Sequence, residues 1–315
     1  FKIKLSVWIV FSFTLFAFLS SSFSVNAQYF GQNKVRYKKL NFKVYETPHF
    51  SLYYYLRNEN LVKRFAQEAE VWYNLHQQVF RDIFTKKNPI ILYANSPDFQ
   101  QTTAIQGDIG VGTGGVTEGM KNRIVMPITQ LNQQTRHVMG HELVHAFQYH
   151  ILMEGDSTSI ENIDKIPLWM IEGMAEYLSI GKVDAYTGMW MRDAYLSKDI
   201  PTLRQLTTSN RYFPYRYGQA FWSYVGSTYG DTVIVPFFKQ AAKYGYEKAL
   251  VNTFGYDENT FSNLWKTSIE NTYKPYIKDT AQAIVGKRII DNKNAGEHYN
   301  IAPAISPDGK YVAFL

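Results

Sequence analysis

His141-Glu142-Leu143-Val144-His145 is the segment of this chain whose residue types and spacing can do chemistry. On a helix, positions i and i+4 lie one turn apart on one face, so both imidazoles can reach a single metal ion. Glu142 projects beside them and can take the proton of an attacking water as general base. Met139, Leu143, Ala146 and Phe147 give the helix an apolar face to bury. A catalytic zinc ordinarily has three protein ligands and one open position. The expected third ligand is Glu172, in the helix Leu168-Trp169-Met170-Ile171-Glu172-Gly173-Met174-Ala175-Glu176-Tyr177. Trp169, Met170, Ile171 and Met174 should be buried there, and a carboxylate among them needs a partner. Glu176, one turn further, either accepts a hydrogen bond from a ligand imidazole or faces solvent.

HExxH followed by Trp-x-x-Glu-Gly-x-Ala-Glu-Tyr resembles the gluzincin clan of metallopeptidases, which includes thermolysin. The resemblance implies an α+β, zincin-like fold and one zinc ion per chain, with His141, His145 and Glu172 as ligands. It implies Glu142 as the base and a peptide or protein as substrate. It also implies a Tyr or His that stabilises the oxyanion. Tyr212, Tyr215, Tyr217 and Tyr224 all follow Glu172; Tyr217 is the choice, although with 24 tyrosines a structural role is the default for each. The clan's substrate-aligning edge strand would correspond to Ile124-Val125-Met126. The acidic anchor of the clan's aminopeptidases is absent before His141, and Glu118 is the only carboxylate near that strand, which leans toward an endopeptidase.

A longer run resembles a bacterial family in which a peptidase-MA-like domain precedes a TolB-like β-propeller. The matching segments are Glu46-Thr47-Pro48-His49-Phe50, Leu92 to Thr102, the glycine-rich loop and the zinc motifs. Ser306-Pro307-Asp308-Gly309-Lys310 is similar to the turn of a first propeller repeat. The expected organisation is a signal peptide over 1–27, a zincin-like domain over 28–285 and a first propeller hairpin over 286–315. A missing propeller would be the place for protein partners. A scaffold or binding module with little catalysis is the alternative function, and the intact Glu142 speaks against it.

The elements that must hold these residues follow from pattern. Phe42 to Tyr45 and Phe50 to Tyr54 read as strands turned at Pro48. A helix carries Leu61, Phe65, Ala69, Trp72, Leu75, Val79 and Ile83 on one face. Pro89 to Tyr93 and Arg123 to Pro127 read as strands. Between them Gly107 to Gly119 lacks the Gly-Lys-Ser/Thr ending of a phosphate loop, so a close-packed or flexible loop is expected. Helices follow at about 135–152, 168–180, 217–228, 231–243 and 258–275. Strands first and helices afterwards make the class α+β. His49 and His137 are read as structural.

Composition narrows the chemistry further. The 315 residues include no cysteine, which excludes disulfides, Cys-ligated zinc and a Cys nucleophile, so a metal must rest on His, Asp or Glu. The formal charge is +6, with Lys and Arg dispersed, which makes no case for nucleic acid. Lys2 and Lys4, the apolar run Leu5 to Leu19 and the small residues Val25-Asn26-Ala27 read as a cleaved signal peptide. The run is shorter than the ~20 residues of a spanning helix, and no later segment is apolar enough, so no membrane span is expected after cleavage. The expected location is therefore exported: periplasmic, outer-membrane-associated or secreted.

Overall fold

The computed structural model describes residues 36–153 and 162–275, Lys287, Ile289, Ile290 and residues 302–314. The signal-peptide reading of residues 1–27 lies outside the described residues. The chain divides into two compact units, residues 1–160 and 161–315. Among the described residues no helix is long and apolar enough to cross a membrane.

The first unit is built on a five-stranded mixed sheet. Its strands are β1 (Lys43–Glu46), β2 (Phe50–Tyr54), β3 (Asn88–Tyr93), β4 (Val116–Glu118) and β5 (Arg123–Pro127), in the order β1-β2-β3-β5-β4. β1 and β2 form the antiparallel hairpin expected around Pro48, with Val44 opposite Tyr53. β2, β3 and β5 run parallel, with Leu52 beside Ile90 and Ile91 beside Val125. β4 returns antiparallel to β5. It lies inside the stretch read as a loop, because a three-residue strand leaves too short a pattern to detect. Its presence corrects one expectation. β5 is an interior strand: Ile124 and Val125 have partners in both β3 and β4, and Met126 in β3, so this stretch is not the sheet edge. The sheet edge beside it is β4.

Helix α1 (Glu59–Phe80) starts where the Asn58 side chain accepts the Leu61 amide at 3.2 Å, and it stops at Arg81 in the left-handed conformation. Phe65, Ala69 and Trp72 are buried as expected, but Leu75, Val79 and Ile83 are exposed. The buried face is rotated toward Tyr73, His76 and Phe80, because the larger rings bury more apolar area. Tyr73, Phe80 and Phe84 gather on Phe147, with ring centroids 5.5, 5.2 and 4.4 Å from it. Four-residue α2 (Ser96–Phe99) and its Phe99 cover the other face of the sheet with Tyr93 and Val125. The long helix α3 (Asn132–Met153) carries the HExxH residues.

The second unit is helical over residues 168–273: α4 (Leu168–Ile180), α5 (Ala185–Leu196), α6 (Leu203–Thr208), α7 (Pro214–Tyr229), α8 (Ile234–Tyr244), α9 (Tyr246–Phe254) and α10 (Glu258–Tyr273). Strands then helices give the anticipated α+β order. Helices α5, α6 and α9 carry no clear periodicity; the Asp184 and Thr202 side chains cap α5 and α6, while α9 follows Gly245 without a side-chain cap. Trp169, Trp222, Phe221, Phe237, Phe261 and Trp265 fill the core. α4 and α7 touch backbone to backbone: a Cβ added at Gly218 would fall 2.0 Å from the Trp169 carbonyl oxygen and 2.7 Å from Gly173 Cα. Trp222 Nε1 donates to the Met170 carbonyl at 2.9 Å across the same crossing. Near the end of the chain, β6 (Ala304–Ile305) and β7 (Val312–Ala313) pair antiparallel around the Pro307-Asp308-Gly309 turn, as expected for a hairpin.

Two expected outcomes follow from this packing. Gly218→Ala should lower unfolding free energy by about 3 kcal/mol through forced separation of α4 and α7. Gly112→Ala, where a Cβ meets nothing within 4 Å, should stay within about 0.5 kcal/mol in the same denaturant titration. Buried His76 donates from Nε2 to the Gly140 carbonyl at 3.0 Å, and burial lowers its pKa from 6.5 to about 4. The unfolded chain then takes this proton first as pH falls, so stability is full above about 6.5 and declines toward about 4. The loss is up to about 3 kcal/mol. His76→Gln should flatten that part of the stability–pH curve.

Candidate metal centre

Ten consecutive residues of α3, Met139 to Gln148, are buried, so the helix is covered on every side rather than along the single apolar face expected from Met139, Leu143, Ala146 and Phe147. His141, Glu142 and His145 are 7, 5 and 7% exposed. The one-turn spacing brings the two rings to 4.8 Å between centroids, at 81° to each other, with Nε2 facing Nε2 at 3.1 Å. A tetrahedral zinc with Zn–N bonds of ~2.1 Å sets two ligand nitrogens about 3.4 Å apart, so the pair suits a shared zinc ion. Neutral imidazoles and carboxylates are also the donors that a chain without cysteine can offer.

His145 and Glu142 are each held by a polar partner in the first unit. Gln148 Oε1 lies 2.8 Å from His145 Nδ1, three residues on along the same helix. Thr117 of β4 donates its hydroxyl at 2.7 Å to Glu142 Oε2, and the same oxygen lies 2.9 Å from the Glu142 carbonyl. The glycine-rich segment closes in from above: a Cβ on Gly115 would fall 2.8 Å from Glu142 Oε1. Glycine here is a space requirement for the loop to lie against the carboxylate, in agreement with a close-packed reading of that loop. His137 is half-buried, its ring 6.1 Å from that of His141 and perpendicular to it. His49 is structural as expected: it stacks on Tyr73 at 3.8 Å and pairs with Glu70 at 2.6 Å. Glu118 is ion-paired with Arg123 across the β4–β5 ladder at 2.5 Å.

Glu172, Glu176 and Tyr217 belong to the second unit. Trp169, Met170 and Met174 are buried as expected, while Ile171 and Glu172 are half-buried. Glu176 does not face solvent. It is 3% exposed, and Arg216 of α7 donates to its Oε2 at 3.0 Å. Arg216 also reaches Asp184 Oδ2 at 3.4 Å and lies over the Tyr186 ring, so one guanidinium ties α4, α7 and the start of α5. Tyr217 is buried against Tyr212 and Trp190, with ring centroids 5.4 and 6.2 Å away. Burial pushes its phenol up to about 12, so it stays protonated at neutral pH.

Gln148 and Arg216 do not stand out in the sequence, and Thr117 and Gly115 fall within the glycine-rich segment with no sign there of their contact with Glu142. Gln148 was detectable, since it lies at i+3 from His145 on one helix. Thr117 and Arg216 lie 25 and 40 residues from their partners, and only the fold brings them there.

Residues 79–271 match the model of the Peptidase MA superfamily, and the chain belongs to that superfamily. The match spans the HExxH helix, Glu172, Glu176 and Tyr217. No curated protein matches the chain.

Arg216→Met should destabilise the chain by about 3 kcal/mol in thermal or denaturant unfolding, because it removes the cation facing a buried carboxylate. Adding Glu176→Gln should recover part of that loss, giving a double-mutant cycle with clear coupling.

Proposed function

We propose that the chain is a zinc-dependent peptidase in which His141, His145 and Glu172 hold the metal and Glu142 acts as general base. The observation that carries this reading is the buried His141–His145 pair, with facing Nε2 atoms 3.1 Å apart and Glu142 held beside it by Thr117. Membership of a peptidase superfamily whose members typically bind zinc supports it. When bound, zinc would supply Lewis-acid polarisation of the scissile carbonyl and of the attacking water. Glu142 takes the water's proton and passes it to the leaving amine. Thr117 keeps one carboxylate oxygen fixed, so the other is the one that meets the water. Glu172 is the third ligand on the likeness of its motif, Glu176 orients a ligand imidazole, and Tyr217 is the candidate oxyanion donor.

The substrate reading is an extended peptide, aligned along the sheet edge at β4 rather than along β5. Glu118, engaged by Arg123 at 2.5 Å, is a poor anchor for a substrate amine, which favours an endopeptidase. The proposed location is outside the cytoplasm, with residues 1–27 as a cleaved leader. The β6–β7 hairpin is proposed as the start of a TolB-like repeat.

Elemental mass spectrometry on the full chain should find about one zinc per molecule, and Glu172→Ala should lose most of it. Glu142→Gln should keep the zinc while peptide hydrolysis falls by on the order of 10³-fold. A folded wild type free of zinc after purification in zinc-containing buffer would end the metallopeptidase reading. Hydrolysis unaltered by Glu142→Gln would remove Glu142 as base.

A further inference from the structure

We infer that Gln148 is a positioning residue that locks His145 in the tautomer with its proton on Nδ1, so that Nε2 always presents a lone pair. The purpose of the lock rests on the proposal that His145 is a metal ligand; its geometry lies wholly within α3.

Gln148 is 0% exposed, and its Oε1 stands 2.8 Å from His145 Nδ1. A carboxamide oxygen only accepts, so the ring nitrogen facing it must donate. Burial removes water as a competing partner for either group, and leaving the carboxamide oxygen or Nδ1 unmatched would cost about 1–3 kcal/mol. The neutral ring has one proton to place. Once it is on Nδ1, Nε2 is a pure acceptor, facing His141 Nε2 at 3.1 Å across the gap where a shared cation would receive both. Turned the other way, the carboxamide would offer its NH₂ to Nδ1 and drive the proton onto Nε2, where it would block the metal.

The choice of a neutral acceptor has its own consequence. A carboxylate at this place would both orient the ring and add negative charge behind it, raising the basicity of the ligand. Glutamine orients without charging. Gln148 also shares a helix with the residue it holds, three positions further along α3.

The test reads the tautomer directly. On ¹⁵N-labelled full chain, stripped of metal and held at about pH 8, above the ordinary imidazole range, two-bond ¹⁵N–¹H couplings report which nitrogen of His145 carries the proton. The expected result is Nδ1–H in the wild type and in Gln148→Glu, which retains an acceptor. Gln148→Met, of similar volume and without an acceptor, should shift His145 toward Nε2–H. Its zinc dissociation constant, from competition with a chromophoric chelator, should rise by about 10- to 100-fold. An Nε2–H His145 in the wild type would overturn the proposal, as would a Met variant that keeps both the Nδ1 proton and wild-type zinc affinity. Should the Met variant not fold, the wild-type and Glu spectra decide. A wild type that binds no zinc sinks the metallopeptidase reading, and the same spectra still decide the role of Gln148.

Discussion

Complete burial of the middle of α3 is the constraint on which the first unit depends. A helix covered all round has no wet face on which to leave polar side chains, yet this one carries two imidazoles, a carboxylate and a carboxamide in its covered stretch. Burying such groups without partners costs several kcal/mol each, so the surroundings must supply partners. For His145 and Glu142 the surroundings close in from three directions: from the helix itself in Gln148, from β4 in Thr117, and from the glycine-rich segment, whose Gly115 lets the backbone lie against Glu142. The same groups that make the burial tolerable also fix the orientation that the proposed chemistry requires.

The second unit meets a similar demand by a different route. Gly173 and Gly218 let α4 and α7 approach until backbone meets backbone, leaving no room for side chains at the crossing. That approach places Arg216, two residues before Gly218, where it can reach Glu176 on the facing helix. A buried carboxylate is retained by a charged partner that also holds the N-cap residue of the next helix, Asp184. Stability and positioning are supplied by one guanidinium, whose Nη1 donates to both carboxylates.

Much of the fold was legible because strong periodicity survives in long elements. The strands at Phe50 and Pro89, the HExxH helix and the helix around Glu172 all fell where pattern put them. The two departures from pattern have different causes. Leu75 and Val79 were placed inside because they match the spacing of an apolar stripe, but the aromatic residues 73, 76 and 80 had more area to bury and turned the helix their way. β4 was missed because three residues carry no readable alternation. That omission made an interior strand look like an edge, since edge status depends on how many neighbours a strand has.

The sequence alone determined the chemistry that is possible. HExxH, Glu172 and the lack of cysteine restrict the donors to nitrogen and oxygen, and helical geometry makes the His141–His145 pairing a local matter of one turn. Tertiary structure alone decided what surrounds those donors. Thr117 beneath Glu142 and Arg216 beside Glu176 are contacts between segments far apart in the chain. No spacing rule encodes them, because a long-range contact is set by the summed packing of whole elements rather than by the residues that end up touching.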